Sequence, residues 1–486
     1  MSFSRPFGLI ACARDIAAVR IVRAEDDGVL PLLCLVGPDD ELPSGLDRGL
    51  LDGCGFRAEP GASLRLVHHG RLVVLAGLGR SPRPDQWRDA AAAGSRELSP
   101  IQHLALRLGV AADPAAVRAA VEGVLLARYR FDALTRHPRG RPLRGVDLLR
   151  VADDAVSAAD AGRVHAAATA LTRDLANSPH NHLSAYRFGE LARDLATAAG
   201  IEVDVLGQNR IRAERLGALL AVNAGSAAEA RVVRLTYKPP GTPTGRLGLV
   251  GKGIVYDAGG LALKATPPCL GPLKGDMSGA AAVLAALLAL PQLGGTAEVT
   301  GYLMCTDNMP APSATALGDV IQGRSGRTIE VLDTDAEGRL VLSDGISLAV
   351  DEGHDAVVDI ATLTGSAAQA LGPSLSALFG SDERLVAAVA AAAEATGEPV
   401  GRLPLEARYR DHLDSELADL RNVAPAGLPD ALMAALFLHE FTDGVPWAHL
   451  DIAGTGWTTT DAGWQSPGGT GTGARTLIEL ARTFAR

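Results

Sequence analysis

"RLGLVGKGIVYD", residues 246–257, is an apolar run interrupted by glycines, with Lys252 inside it and Asp257 at its end. It reads as a largely buried strand. Three further runs are strand-like in the same way: "TAEVTGYLMC" (296–305), "DAVVDIATL" (355–363) and "PWAHLDIAG" (446–454). Ala- and Leu-rich stretches with helical character separate them, among them "GDMSGAAAVLAALLAL" (275–290). This alternation predicts an α/β fold in which a mixed or parallel sheet is covered by helices. Chemistry in such folds sits where strands end and loops begin.

Working outward toward the N-terminus, "RLVVLAGLG" (71–79) reads as a strand and "PAAVRAAVEGVLLARYRF" (114–131) as a helix. The basic, turn-rich "HPRGRPLRG" (137–145) reads as a linker, followed by a long helical pattern through "AGRVHAAATALTRDLAN" (161–177). The expected organisation is a smaller N-terminal α/β domain over 1–155, serving assembly or regulation, and a larger C-terminal catalytic domain over 156–486. His68 and His69 read as loop residues ahead of a strand.

The 486 residues are 47% hydrophobic and 21% charged, a composition for a folded chain with a sizeable core. A net charge of −10 argues against nucleic acid and anionic membranes as partners, since both require a basic face. No apolar stretch is long enough to cross a bilayer; Ala280 to Leu290 is the longest. A cytoplasmic location is expected. Five scattered cysteines (Cys12, Cys34, Cys54, Cys269, Cys305) show no C-x-x-C spacing and indicate neither a disulfide framework nor a thiolate zinc site.

Of 46 basic residues only four are lysine, and Lys252, Lys264 and Lys274 fall within 23 positions. A lysine can become a neutral amine, which an arginine cannot. Near these lysines stand Asp257, and Asp276 at the start of a helical run, where helix capping is its ordinary explanation. "VLDTDAEGRLVLSDG" (331–345) adds Asp335, Glu337 and Arg339. Read as extended chain, their spacing of two turns all three side chains to one side. Carboxylates about 4 Å apart repel by roughly 4 kcal/mol per pair at an effective dielectric near 20. Two divalent cations would balance the four charges of Asp257, Asp276, Asp335 and Glu337. A lysine amine in that shell must be neutral, at a cost of roughly 4 kcal/mol from an unperturbed pKa near 10.4. A surface salt-bridge network is the competing explanation, and the apolar neighbours count against it.

"GKGIVYDAGGLALK", "DMSGAAAV", "DTDAEGRLVLSD" and "DIATLTGS" resemble the successive motifs of the cytosolic leucyl aminopeptidase family. "TRDLANSPHN" (172–181), "EGVLLARYRFD" (122–132) and "WAHLDIAGTGW" (447–457) extend the resemblance. It covers the second domain throughout and the first weakly. The resemblance implies that Lys252, Asp257, Asp276 and Glu337 bind one metal, and Asp257, Asp335 and Glu337 the other. It implies Mn2+ or Zn2+ as the ions. Lys264 would polarise the scissile carbonyl, Arg339 would hold a bicarbonate that relays a proton, and Thr362, Leu363 and Gly365 would line the substrate site. Removal of single N-terminal residues from peptides, leucine-like preferred, and a homohexamer follow from the same likeness.

The chain departs from the family pattern at Asp333, where Asn is usual, and at Leu273, near the place of a pocket methionine. Gly456 leaves little side chain at the pocket floor, and "NVAPAGLPDALMAALF" (422–437) lacks the usual Gly-Gly-Arg text. Trp447 and Trp457 read as core or interface residues, and the Gly-rich "SPGGTGTGARTL" (466–477) as a turn-rich loop rather than a phosphate cradle. Two alternatives are a phosphoester hydrolase using the same two-metal site, and a binding or regulatory homologue with a weakened site.

Overall fold

The computed structural model describes residues 8–26, 28–109, 112–137, 141–152, 154–265 and 271–486. They form two compact units: Gly8–Asp174 with Thr459–Pro467, and Leu175–Thr458 with Gly468–Arg486. The division falls near the end of the helix Ala155–Asn177, whereas the expected boundary at 155 is its first residue.

The smaller unit is built on a six-stranded sheet in the order Arg20–Arg23, Gly145–Leu149, His103–Arg107, Leu32–Val36, Arg71–Gly77, Ser63–His68. Every neighbouring pair is parallel except the last, an antiparallel hairpin turned at His69 and Gly70, both with positive φ. The strand at 71–77 and the helix Pro114–Leu126 match the sequence expectation. Of the expected linker, 137–145, residues 138–140 lie outside the described residues; its last residue begins Gly145–Leu149, an inner strand of this sheet.

The larger unit contains an eight-stranded mixed sheet. Its order is Val400–Arg402, Ser376–Gly380, Trp447–Asp451, Ala356–Ala361, Arg246–Asp257, Glu298–Asn308, Arg231–Tyr237, Glu202–Leu206. The central four strands, from Trp447–Asp451 to Glu298–Asn308, run parallel, and antiparallel pairs flank them on both sides. Parallel strands need cover on both faces. Alternation along Arg246–Asp257 supplies it: Val250 meets the helix Glu337–Asp351 at Gly345, and Gly251 meets the helix Ser278–Leu293. A Cβ on Gly251 would lie 2.5 Å from Ala280 Cα, so only glycine allows that approach. Lys252 faces the Val250 side by the same period of two. Its amine thereby reaches Glu337, the first residue of the helix Glu337–Asp351.

No helix among the described residues is long and apolar enough to cross a membrane. Cys12, Cys34, Cys54 and Cys305 are free thiols; Cys269 lies outside the described residues.

Candidate active site

The carboxyl ends of the central parallel strands converge on one cavity of about 330 Å³. Lys252, Asp257, Lys264, Asp276, Asp335, Glu337, Thr362, Leu363 and Gly365 all line it. Asp257 ends its strand, while Thr362 and Leu363 follow the end of Ala356–Ala361. Thus nine of the ten expected site residues share one space, and Arg339 is the exception.

The stretch 331–345 is not extended as expected. A turn through Thr334 and Asp335 precedes the helix that starts at Glu337. Asp333 Oδ1 accepts the Asp335 N–H at 2.8 Å, which closes that turn and orients Asp335 toward Glu337. Successive helical residues turn by about 100°, so Arg339 projects on nearly the opposite side from Glu337. Its guanidinium donates instead to the Asn422 carbonyl and to Asp430 Oδ1, each at 2.9 Å.

Ligand atoms of Asp257, Asp335 and Glu337 lie within 4.8 Å of one another. Lys252 Nζ is 2.7 Å from Asp276 Oδ2 and 2.8 Å from Glu337 Oε1, and donates to the Thr362 carbonyl at 3.0 Å. Lys264 Nζ is 2.9 Å from Asp257 Oδ2 and also pairs with Asp335. Asp276 does not cap the helix after it; that end has no side-chain cap, and Asp276 takes Lys252 and the Thr362 hydroxyl.

Burial pushes the Asp276 and Glu337 carboxyls above the usual carboxylate range, and Asp257 adds to this against the pull of Lys252. Burial likewise raises Asp335, opposed by Lys264. On Lys252, burial acts downward, yet Asp276, Glu337 and Asp257 outweigh it and hold the amine above its ordinary pKa. Four carboxylates thus share two ammonium groups, and the buried Glu337 Oε2 has no hydrogen-bond partner among the described residues. An oxygen-rich set short of positive charge, with an amine inside it, fits divalent cations.

Three positioning residues were not singled out from sequence. Asn308, at the end of the adjacent strand, donates to Asp257 Oδ1 and to the Thr334 carbonyl, both at 2.9 Å. Thr334 donates to the Gly259 carbonyl and accepts from Ala262 N–H, both at 2.8 Å, fixing the loop between Asp257 and Lys264. Gly259 has φ +87°, and a Cβ there would sit 2.5 Å from the Ala262 carbonyl. Asp451 accepts from the Leu363, Thr364 and Ala453 amides at 3.0–3.1 Å, holding the 362–364 loop at the cavity. The signal for Asn308 was its place at the end of "TAEVTGYLMCTDN", beside the end of the Asp257 strand.

Leu273 and Gly456 line the cavity together with Ala368, Ala453 and Trp457. Trp457 is partly buried and forms part of the cavity wall; Trp447 is fully buried, as expected.

Residues 170–478 match the catalytic domain of the cytosol aminopeptidase family, and residues 40–138 match that family's N-terminal domain. A probable cytosol aminopeptidase of Synechococcus sp. (strain JA-3-3Ab) is 38% identical over 468 residues, covering 92% of each chain. One from Streptomyces avermitilis is 41% identical over 435 residues, covering 85% of this chain and 84% of its own. The solved structure of the bottromycin maturation enzyme BotP in complex with Mn superposes with a TM-score of 0.85. That pair is 39% identical, covering 93% of this chain and 98% of BotP. With its catalytic and N-terminal domains both matched, the chain belongs to the cytosol aminopeptidase family.

Proposed function

We propose that the chain is a two-metal, leucyl-type aminopeptidase that removes single N-terminal residues from peptides. The observation that carries this reading is the convergence of Asp257, Asp335 and Glu337, with Lys252 and Asp276 beside them, in the cavity that residues 362–365 help to line. Lys252, Asp257, Asp276 and Glu337 would hold one divalent ion, and Asp257, Asp335 and Glu337 the other. When bound, such a pair supplies Lewis-acid polarisation and a water acidic enough to attack near neutral pH. Manganese or zinc suits the donor set, and the manganese named with BotP favours the former.

The chain's own groups do the remaining work. Lys264, on a loop fixed by Thr334, presents an ammonium to the oxygen on which negative charge develops as the peptide carbonyl is attacked. Its charge is secured by Asp257 and Asp335, which together raise its pKa against burial. The substrate's free α-amine, in its neutral form, would bind at one of the two ion positions, which would restrict cleavage to the peptide's first residue. Leu273, Ala368, Ala453, Gly456 and Trp457 give the side-chain site apolar walls, matching a leucine-like residue. The described lining residues include no arginine, which counts against a phosphoester substrate.

A leucine-led peptide and its N-acetylated form, followed by mass spectrometry, test this reading. Loss of one residue from the free peptide alone is expected; internal cleavage would contradict it. A second reading, maturation of a dedicated product as BotP's name states for that enzyme, is favoured by 39% identity across 93% of the chain. Rapid turnover of unrelated peptides would count against it. The proposal extends to a cytoplasmic homohexamer on the strength of the family likeness, and light-scattering mass tests the assembly.

A further inference from the structure

We propose that Asp430 is the resident counter-ion of Arg339, so that this chain carries within its own fold the anion otherwise expected there as free bicarbonate. The inference rests on the aminopeptidase reading above.

Arg339 is 3% exposed, and a buried guanidinium requires an opposing charge. Asp430 Oδ1 supplies it at 2.9 Å. The Asn422 carbonyl takes a second N–H at 2.9 Å. Both partners come from one segment, residues 422–437. A side-chain carboxylate and a bicarbonate offer a guanidinium the same planar pair of oxygens. The tethered group also has the advantage of effective concentration, because no second molecule must be captured.

Asp430 is the first residue of the helix Asp430–His439, whose amino end favours a negative charge. Helix and guanidinium together hold the carboxylate in place, while 49% exposure of its side chain leaves it open to proton exchange with water. Asn422 links this ion pair to the acidic cluster. Its side-chain oxygen accepts from the Leu332 and Asp333 amides at 2.8 and 3.3 Å, and its Nδ2 donates to the Asp333 carbonyl at 2.6 Å. The residue that receives Arg339 therefore also holds the turn leading to Asp335.

The test compares peptide hydrolysis by the zinc-loaded protein in carbonate-free buffer with and without added bicarbonate. The wild-type rate should be the same in both. Asp430→Gly should lose about tenfold in carbonate-free buffer and recover on adding bicarbonate or formate. Asp430→Asn, which keeps the shape and loses the charge, should show the loss without full rescue. Independently of turnover, 13C-labelled bicarbonate should broaden in NMR spectra with Asp430→Gly. Neither the wild type nor the double variant Asp430→Gly, Arg339→Met should broaden it. Stimulation of the wild type by bicarbonate, or equal broadening by wild type and Asp430→Gly, would overturn the proposal. Should none of the proteins cleave peptides, the aminopeptidase reading fails and the labelled-bicarbonate result still decides the occupant of Arg339.

Discussion

Asn308 Nδ2 lies 2.9 Å from Asp257 Oδ1 across two neighbouring parallel strands, and the same amide group reaches the Thr334 carbonyl. Asp257 is thus aimed by a residue far from it in sequence. Groups that orient a metal-binding carboxylate typically contribute tenfold to hundredfold in metal affinity. Asn308→Ala should weaken zinc or manganese binding by about that factor while the fold survives. Calorimetric titration of the metal-free protein measures it, and unchanged affinity would remove Asn308 from the account.

Lys264 pairs with both Asp257 and Asp335, so its ammonium competes with cations for both carboxylates. Lys264→Ala should leave metal binding intact or tighter. Turnover should nevertheless fall by roughly a hundredfold to a thousandfold, the range for loss of one group facing a developing oxyanion. Metal content and kcat measured on one preparation separate the two effects; unchanged kcat would exclude the proposed role.

Asp257 is the carboxylate assigned to both ions, so Asp257→Asn should lose both. Saturating metal at about a hundred times its Kd stabilises a one-site protein by about 2.7 kcal/mol. The wild type should therefore melt higher on addition of zinc, and the variant should not. A variant that still binds two ions per chain would break the shared assignment.

The chemistry was more legible than the geometry. Asp257, Asp276, Asp335, Glu337 and two lysines were visible because so many ionisable groups among aliphatic neighbours require compensation. The parallel sheet was legible from apolar runs such as "RLGLVGKGIVYD", which both-face burial demands. The extended reading of 331–345 failed because "DTDAEGRL" holds a turn followed by a helix start, and period alone does not place that change. Asn308, Asp451 and the Asn422 and Asp430 partners of Arg339 were hidden for a different reason. Their roles arise from strand adjacency or from loops 83 to 91 positions away. Gly145–Leu149 escaped notice because an inner strand preceded by a basic, turn-rich sequence looks, in one dimension, like a linker.

His354 offers a pH test away from the metal site. Its Nε2 meets the Tyr302 hydroxyl at 2.8 Å while that hydroxyl donates to Glu352 at 2.7 Å, so the histidine donates through Nε2. Burial first, then Arg246, lowers its pKa from 6.5 to about 4. A base whose folded pKa is depressed costs nothing above its unfolded pKa; stability is lost as pH falls from about 6.5 to about 4. That loss is about 3 kcal/mol when complete. Denaturation of the wild type and His354→Gln at pH 7 and pH 4 should show the variant losing less by about that amount. Equal losses would mean that His354 is protonated in the fold.

The central claim is that a metal pair held by Asp257, Asp335 and Glu337 with their neighbours hydrolyses the bond after a free N-terminal residue. Release of p-nitroaniline from leucine p-nitroanilide tests it most directly, using metal-stripped protein, the same protein with manganese or zinc restored, and the N-acetylated substrate as control. The account predicts release only with both metal and a free amine. Activity that survives metal removal, or equal cleavage of the acetylated substrate, would contradict it.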